Sequence, residues 1–240
     1  MKKIFWIGLI GLVFNLNSTI AQGWSYSDYN TYTYQNFREN KLFHETIDFD
    51  NIDYPRMHAA IFYLTNVERV KKGLMPVEFN LNLEIAAWHH SKAMVKKDFF
   101  NHLNIYEKER REPNGRAKFA GINNPYLAEN IAETSALQYK SGSELYIIDK
   151  ENARFSYTDG GPIIPPQTYI GFAEVVVDQW MHSKPHKKNI LSKDALQLGC
   201  GSYLYYDKRF YNMPTIRSTQ NFQWYEKVSA SKPIDSLPQD

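Results

Sequence analysis

Residues 64–94 read LTNVERVKKGLMPVEFNLNLEIAAWHHSKAM: the close of one helix, a turn, and the body of a second. Lys71, Lys72 and Gly73 end the first helix, since cations suit the last turn and glycine readily takes the left-handed backbone beyond it. Working back, Leu64 and Val67 continue a three-to-four spacing through Ile61 and Met57 to Asp53, which caps the helix with Pro55 in its first turn. Working forward, the pattern predicts a second helix from about Asn82 to near Asp98, with Leu83, Ala87, His90 and Met94 on one stripe. His90 lies on that apolar stripe and reads as a satisfied core histidine.

Further along, residues 107–125 are charged and punctuated by glycine and proline, with a short helix over GRAKFA (115–120) and then the brief apolar run YLAENIAET (126–134). Residues 138–170 carry Gly160-Gly161 and Pro165-Pro166 and read as an insertion with loop and hairpin chemistry. A third helix is expected from about Gly171, with Phe172, Val175, Val176 and Trp180 inward. The runs LQLGCGSYLYY (196–206) and STQNFQW (218–224) are rich in β-formers. Helices first and strands later suggest an α+β fold with helices packed on an antiparallel sheet.

The ends suggest a compartment. Lys2 and Lys3 precede the apolar run Ile4 to Phe14, which is followed by polar residues and small ones at Thr19 and Ala21. This reads as an export signal over 1–21, cleaved after Ala21. A membrane span needs ~20 apolar residues, so the expectation is a secreted or periplasmic protein that does not span the membrane. Residues 22–52, rich in tyrosine, asparagine and serine, show no helical period and read as an extended arm, with the ordered body starting near Asp53. The main domain is expected over 53–225, and a polar tail that frays over 226–240.

Charge excludes one class of partner. The 28 basic residues less Lys2 and Lys3 leave 26, equal to the 26 acidic ones. A nucleic-acid binder would carry a basic field. The single Cys200 leaves no intramolecular disulfide, so stability must come from an ordinary core.

Taken together, the stretch at 64–94, His102, AENIA (128–132), WMHSKPHKKNIL (180–191), LGCG (198–201) and TQNF (219–222) resemble the CAP superfamily: the cysteine-rich secretory, antigen 5 and pathogenesis-related 1 proteins, in their bacterial SCP-like form. The resemblance runs from about Tyr54 to Phe222. It implies a three-layer α-β-α sandwich with a central antiparallel sheet and an open cleft lined by two histidines and two acids. By motif, His102 and His186 match the histidines and Glu129 the first acid. The second acid's position holds Ser183, and neither Glu174 nor Asp178 shares its helical face.

Two imidazoles and a carboxylate can hold a divalent ion such as zinc, do acid–base work on a water, or form a polar floor that orients a ligand. There is no HExxH helix, no GxSxG elbow and no Cys–His pair. Cys200 reads as a small buried residue, Asn130 as a structural hydrogen-bonder, Trp180 as core, and Lys187-Lys188 as a solvated turn. The leading function is therefore a ligand-binding module without turnover. The resemblance allows a lipid, glycan or peptide ligand, and 15% aromatic residues supply amphipathic surface. The rivals are a metal-dependent hydrolase using His102, Glu129 and His186, and an interaction module built on the arm and the insertion.

Overall fold

A computed structural model describes residues 23–229, so the expected export signal over 1–21 and the last part of the tail lie outside the described residues. Five α-helices, α1 (Tyr54–Lys71), α2 (Leu81–Lys96), α3 (Pro113–Phe119), α4 (Tyr169–His182) and α5 (Lys184–Ile190), combine with strands β1 (Glu78–Phe79), β2 (Leu127–Ser135), β3 (Tyr146–Asp149), β4 (Arg154–Ser156), β5 (Ala195–Asp207) and β6 (Met213–Trp224). The main sheet runs β1-β5-β6-β2. Its long strands are antiparallel, as expected, but the two-residue β1 joins β5 in parallel, so the sheet is mixed. Helices α1 and α4 cover one face and α2 the other, which gives the three-layer sandwich.

Asp53 caps α1 as the sequence indicates, whereas α2 begins at Leu81, slightly before the expected Asn82, with Asn80 as its cap. Asp53 Oδ1 accepts from the Arg56 N–H at 3.0 Å and Asn80 Oδ1 from the Leu83 N–H at 3.1 Å; such caps contribute ~1 kcal/mol each. Phe172, Val176 and Trp180 point inward on α4, but Val175 is 44% exposed and Val177 is buried instead. Within residues 138–170, β3 and β4 pair as a separate two-stranded antiparallel sheet, and α4 already begins at Tyr169.

The LGCG motif sets how close α2 approaches the sheet. A Cβ on Gly199 would fall 2.0 Å from the Glu84 backbone nitrogen, and one on Gly201 2.1 Å from that of Trp88. Two glycines two residues apart thus clear one face of β5 for α2, while Cys200 between them packs into the core on the other.

Residues 23–52 are not an extended arm, and the ordered body does not begin near Asp53. Three short 3-10 turns, Tyr26–Asn30, Phe37–Glu39 and Lys41–His44, bring Trp24, Phe37, Phe43 and Ile47 into the same buried cluster as Met57, Ile61 and Tyr63. Tyr29 stacks on Phe79 with ring centroids 3.7 Å apart. Turns of three to five residues bury one side chain here and another there, and so leave no stripe to read. The start of the tail is also tied down: Val228 N–H donates to Gln197 Oε1 at 2.6 Å and Ser229 N–H to Asn124 Oδ1 at 2.8 Å.

Side chains cap backbone groups along β5 beyond β1 and along the outer edge of β2. β1 covers only Gln197 and Leu198 of β5. Beyond it, the Ser202 N–H donates to His58 Nε2 at 2.9 Å and the Leu204 N–H to the Tyr54 hydroxyl at 3.2 Å, from residues one turn apart on α1. His58 therefore carries its proton on Nδ1, which donates to buried Glu84 Oε1 at 3.1 Å; Tyr26 of the N-terminal segment donates to the same oxygen at 3.0 Å. On the far edge, the carbonyls of Glu129, Ile131 and Glu133 accept from Asn189 Nδ2 (3.3 Å), Trp180 Nε1 (3.1 Å) and Gln179 Nε2 (3.4 Å).

Candidate functional site

Glu129 sits on β2, and alternation turns its side chain toward α2, where it is almost wholly buried. Its Oε1 accepts from His102 Nδ1 at 2.8 Å and its Oε2 from Arg116 at 2.5 Å. Burial pushes the carboxyl's pKa up, but the His102 hydrogen bond, the Arg116 charge and nearby His90 outweigh it and hold Glu129 below the usual carboxylate range. Glu129 is thus a fixed anion.

Arg116 is the residue that organises this floor, and the sequence reading did not single it out. Pro113 opens α3, and the helix turns Arg116 inward, where it is 2% exposed. Besides Glu129, it donates to the backbone carbonyls of His102 (3.1 Å), Arg110 (3.2 Å) and Arg111 (3.0 Å). One guanidinium therefore fixes both the carboxylate and the loop that carries the histidine.

His102 lies on that loop with its side chain 45% exposed. With Nδ1 facing a carboxylate, its proton sits there, and Nε2 is left toward the open side. His186 is half-buried on α5. Burial lowers its pKa, and the nearby His102 imidazole lowers it further. The helix is seated by amides: Asn130 Nδ2 donates to the His186 carbonyl at 3.2 Å, and Asn189 Nδ2 to Asn130 Oδ1 at 2.9 Å. Asn130 is the structural hydrogen-bonder its position suggested.

His90 is buried, but it belongs to this site rather than to an apolar core alone. Its Nε2 meets the Asn101 carbonyl at 3.0 Å and lies 3.8 Å from Glu129 Oε1, while Nδ1 has no partner among the described residues. Burial lowers its pKa to about 4, with Glu129 opposing and Arg116 assisting, so the ring is neutral at neutral pH.

No acid replaces the one absent at Ser183. That residue takes extended backbone (φ −96°, ψ 117°) between α4 and α5. Glu174 pairs with Arg38 at 2.6 Å and Asp178 with His182 at 3.2 Å, both on the surface. As a metal centre the expected trio fits poorly: among the described residues no three His, Cys, Asp or Glu side chains converge on a common point, and the Glu129 side chain is buried between His102 and Arg116. What remains is a rigid anion that orients one imidazole, with a second nearby.

Fold and site together define an α-β-α sandwich with a histidine–carboxylate floor at the sheet edge. The chain belongs to the cysteine-rich secretory protein (CAP) family, whose sequence profile matches residues 62–222. That range includes His90, His102, Arg116, Glu129 and His186. It is similar to two Bacillus subtilis (strain 168) proteins: the uncharacterized membrane protein YlbC, 26% identical over 162 residues (68% of this chain), and the uncharacterized protein YkwD, 28% identical over 138 residues (58% of this chain). The matches span only 33% and 39% of those relatives' lengths. Among solved structures it is similar to an extracellular SCP-domain protein from Bacillus anthracis (21% identity, TM-score 0.47, 72% of this chain and 42% of that one) and to an outer surface protein of Borrelia burgdorferi (16%, 0.44, 75% and 98%).

Proposed function

We propose that this CAP protein is exported, to the periplasm or outside the cell, and binds an amphipathic ligand such as a lipid, glycan or peptide without turning it over. The observation that carries this reading is that Glu129 spends both oxygens on His102 and Arg116. With its side chain 2% exposed between these two partners, Glu129 cannot itself reach a substrate proton or an incoming ion. A carboxylate paired in this way serves better to aim His102 Nε2 at a ligand's polar end. The loop carrying His102 also exposes Phe100 (46%), Ile105 (70%) and Tyr106 (54%), apolar surface suited to the rest of such a ligand. The leader-like pattern at 1–21 supports export. An interaction module built on the N-terminal segment is less well supported, because that segment is spent on the core.

Native mass spectrometry of the full chain purified without chelator, as wild type, His102→Ala and His186→Ala, tests this. A retained organic adduct in the wild type, lost from both variants, is expected. Stoichiometric zinc in the wild type that either substitution removes, together with zinc-dependent cleavage of a casein substrate, would replace this reading with the hydrolase.

A further inference from the structure

Helix α5 has a second face. His186 and Asn189 turn toward β2, whereas Lys184, Lys187 and Lys188, spaced by three and four positions, share another side. With Asp194, Trp224 and Tyr225 they line a groove of about 550 Å³, within the range of roughly 300–1,000 Å³ common for small-ligand sites. Three ammonium groups face one carboxylate there, and none of the three makes an ion pair among the described residues.

The aromatic wall is unusual. Tyr225 follows the end of β6 with φ 67°, the left-handed region that costs a bulky residue on the order of 1–2 kcal/mol. Its N–H donates to the Asp194 carbonyl at 3.0 Å, which holds that conformation, and its ring is left 56% exposed. Tyr126, equally exposed, packs against it with ring centroids 4.7 Å apart. Backbone strain is thus spent on holding a ring in solvent beside unpaired lysines.

We propose that this groove is a second binding site and that it takes an acidic polysaccharide. Sugar rings present apolar C–H faces that pack on Tyr225 and Trp224, the two aromatic residues of the groove, while their carboxylate or sulfate groups meet Lys184, Lys187 and Lys188. A membrane surface is the weaker match, because the lysines line a concavity instead of projecting from a convex face. The site is separate from the His102 floor, although α5 contributes to both.

The test uses the full chain and isothermal titration with a galacturonic acid trimer, maltotriose as the neutral counterpart, and phosphatidylglycerol vesicles. Tyr225→Gly removes the ring and suits the left-handed backbone, so the fold is retained; Tyr225→Phe keeps the ring. The expected result is salt-sensitive binding of the acidic trimer by the wild type, Tyr225→Phe and His102→Ala. Affinity should fall at least tenfold in Tyr225→Gly and in the Lys187→Ala/Lys188→Ala double variant, with an unchanged melting temperature. Absence of binding, equal affinity for maltotriose, preference for vesicles, or undiminished binding by Tyr225→Gly would each overturn the proposal.

Discussion

Arg116 donates to Glu129 Oε2 at 2.5 Å, with the two side chains 1% and 2% exposed. Removing one member of such a pair strands the other's charge, which costs more than the pair contributes by existing. Arg116→Ala should therefore destabilise the protein by about 3–5 kcal/mol in urea denaturation. Arg116→Lys should recover only part, because a point charge cannot serve Glu129 and three carbonyls at once. A loss under ~1 kcal/mol would mean that water replaces the guanidinium.

Acid should weaken the fold through His90. Its neighbours are Glu129 on β2, Arg116 on α3 and His102 on the adjoining loop, and its pKa falls from 6.5 in the free side chain to about 4 in the folded protein. Below pH 6.5 the unfolded chain binds a proton that the folded chain refuses. Stability is therefore full above that value, falls as the pH drops toward 4, and loses on the order of 3 kcal/mol from this group. Glu129, whose folded pKa is depressed, adds a further loss at the acid end. Melting temperatures from neutral pH to pH 4 should slope downward in the wild type and less steeply in His90→Gln; parallel slopes would remove His90 from the account.

Gly201→Ala and Gly73→Ala should differ in mechanism and in size. The first puts a methyl 2.1 Å from the Trp88 backbone nitrogen, which cannot move without shifting α2, so a cost of about 3 kcal/mol or more is expected. The second meets nothing within 4 Å but sits at φ 73°, where alanine costs roughly 1–2 kcal/mol. Chemical denaturation of the two variants checks the order.

The segment before α1 should behave as core. Phe43 is fully buried, with its ring centroid 5.1 Å from that of Trp24, and Phe43→Ala should cost about 3–5 kcal/mol. Limited proteolysis should spare residues 23–52; early trimming to a fragment beginning near Asp53 would count against this packing.

The sequence showed most clearly the parts that repeat. α1 and α2 announce themselves because a helix of four turns or more must place an apolar residue at nearly every turn, and Asp53 and Lys72-Gly73 mark where the first one starts and stops. The three 3-10 turns before Asp53 have no such repeat, and β1, only two residues long, is too short to show one. On α4 one position of the expected stripe differs, Val177 being inward in place of Val175, since the two are equally apolar and only packing separates them. In the site, His102, Glu129 and His186 could be picked out by resemblance. Arg116 could not: among Lys108, Arg110, Arg111 and Glu112 it is one charge in a charged stretch, and only the helix started by Pro113 turns it inward. His90 was placed correctly on a buried stripe, but the stripe's other neighbour, Glu129, comes from a strand 39 positions away.

The side chains that cap backbone groups along β5 and β2 also govern how copies of this chain can meet. A bare strand edge is a template on which another chain can add itself, the usual first step of fibre growth. Here His58 and Tyr54 occupy the donors of β5, and Asn189, Trp180 and Gln179 the acceptors of β2. Crowding such molecules together therefore offers no strand for a newcomer to copy at these positions of the main sheet, so a second copy that approaches there meets side chains in place of bare backbone.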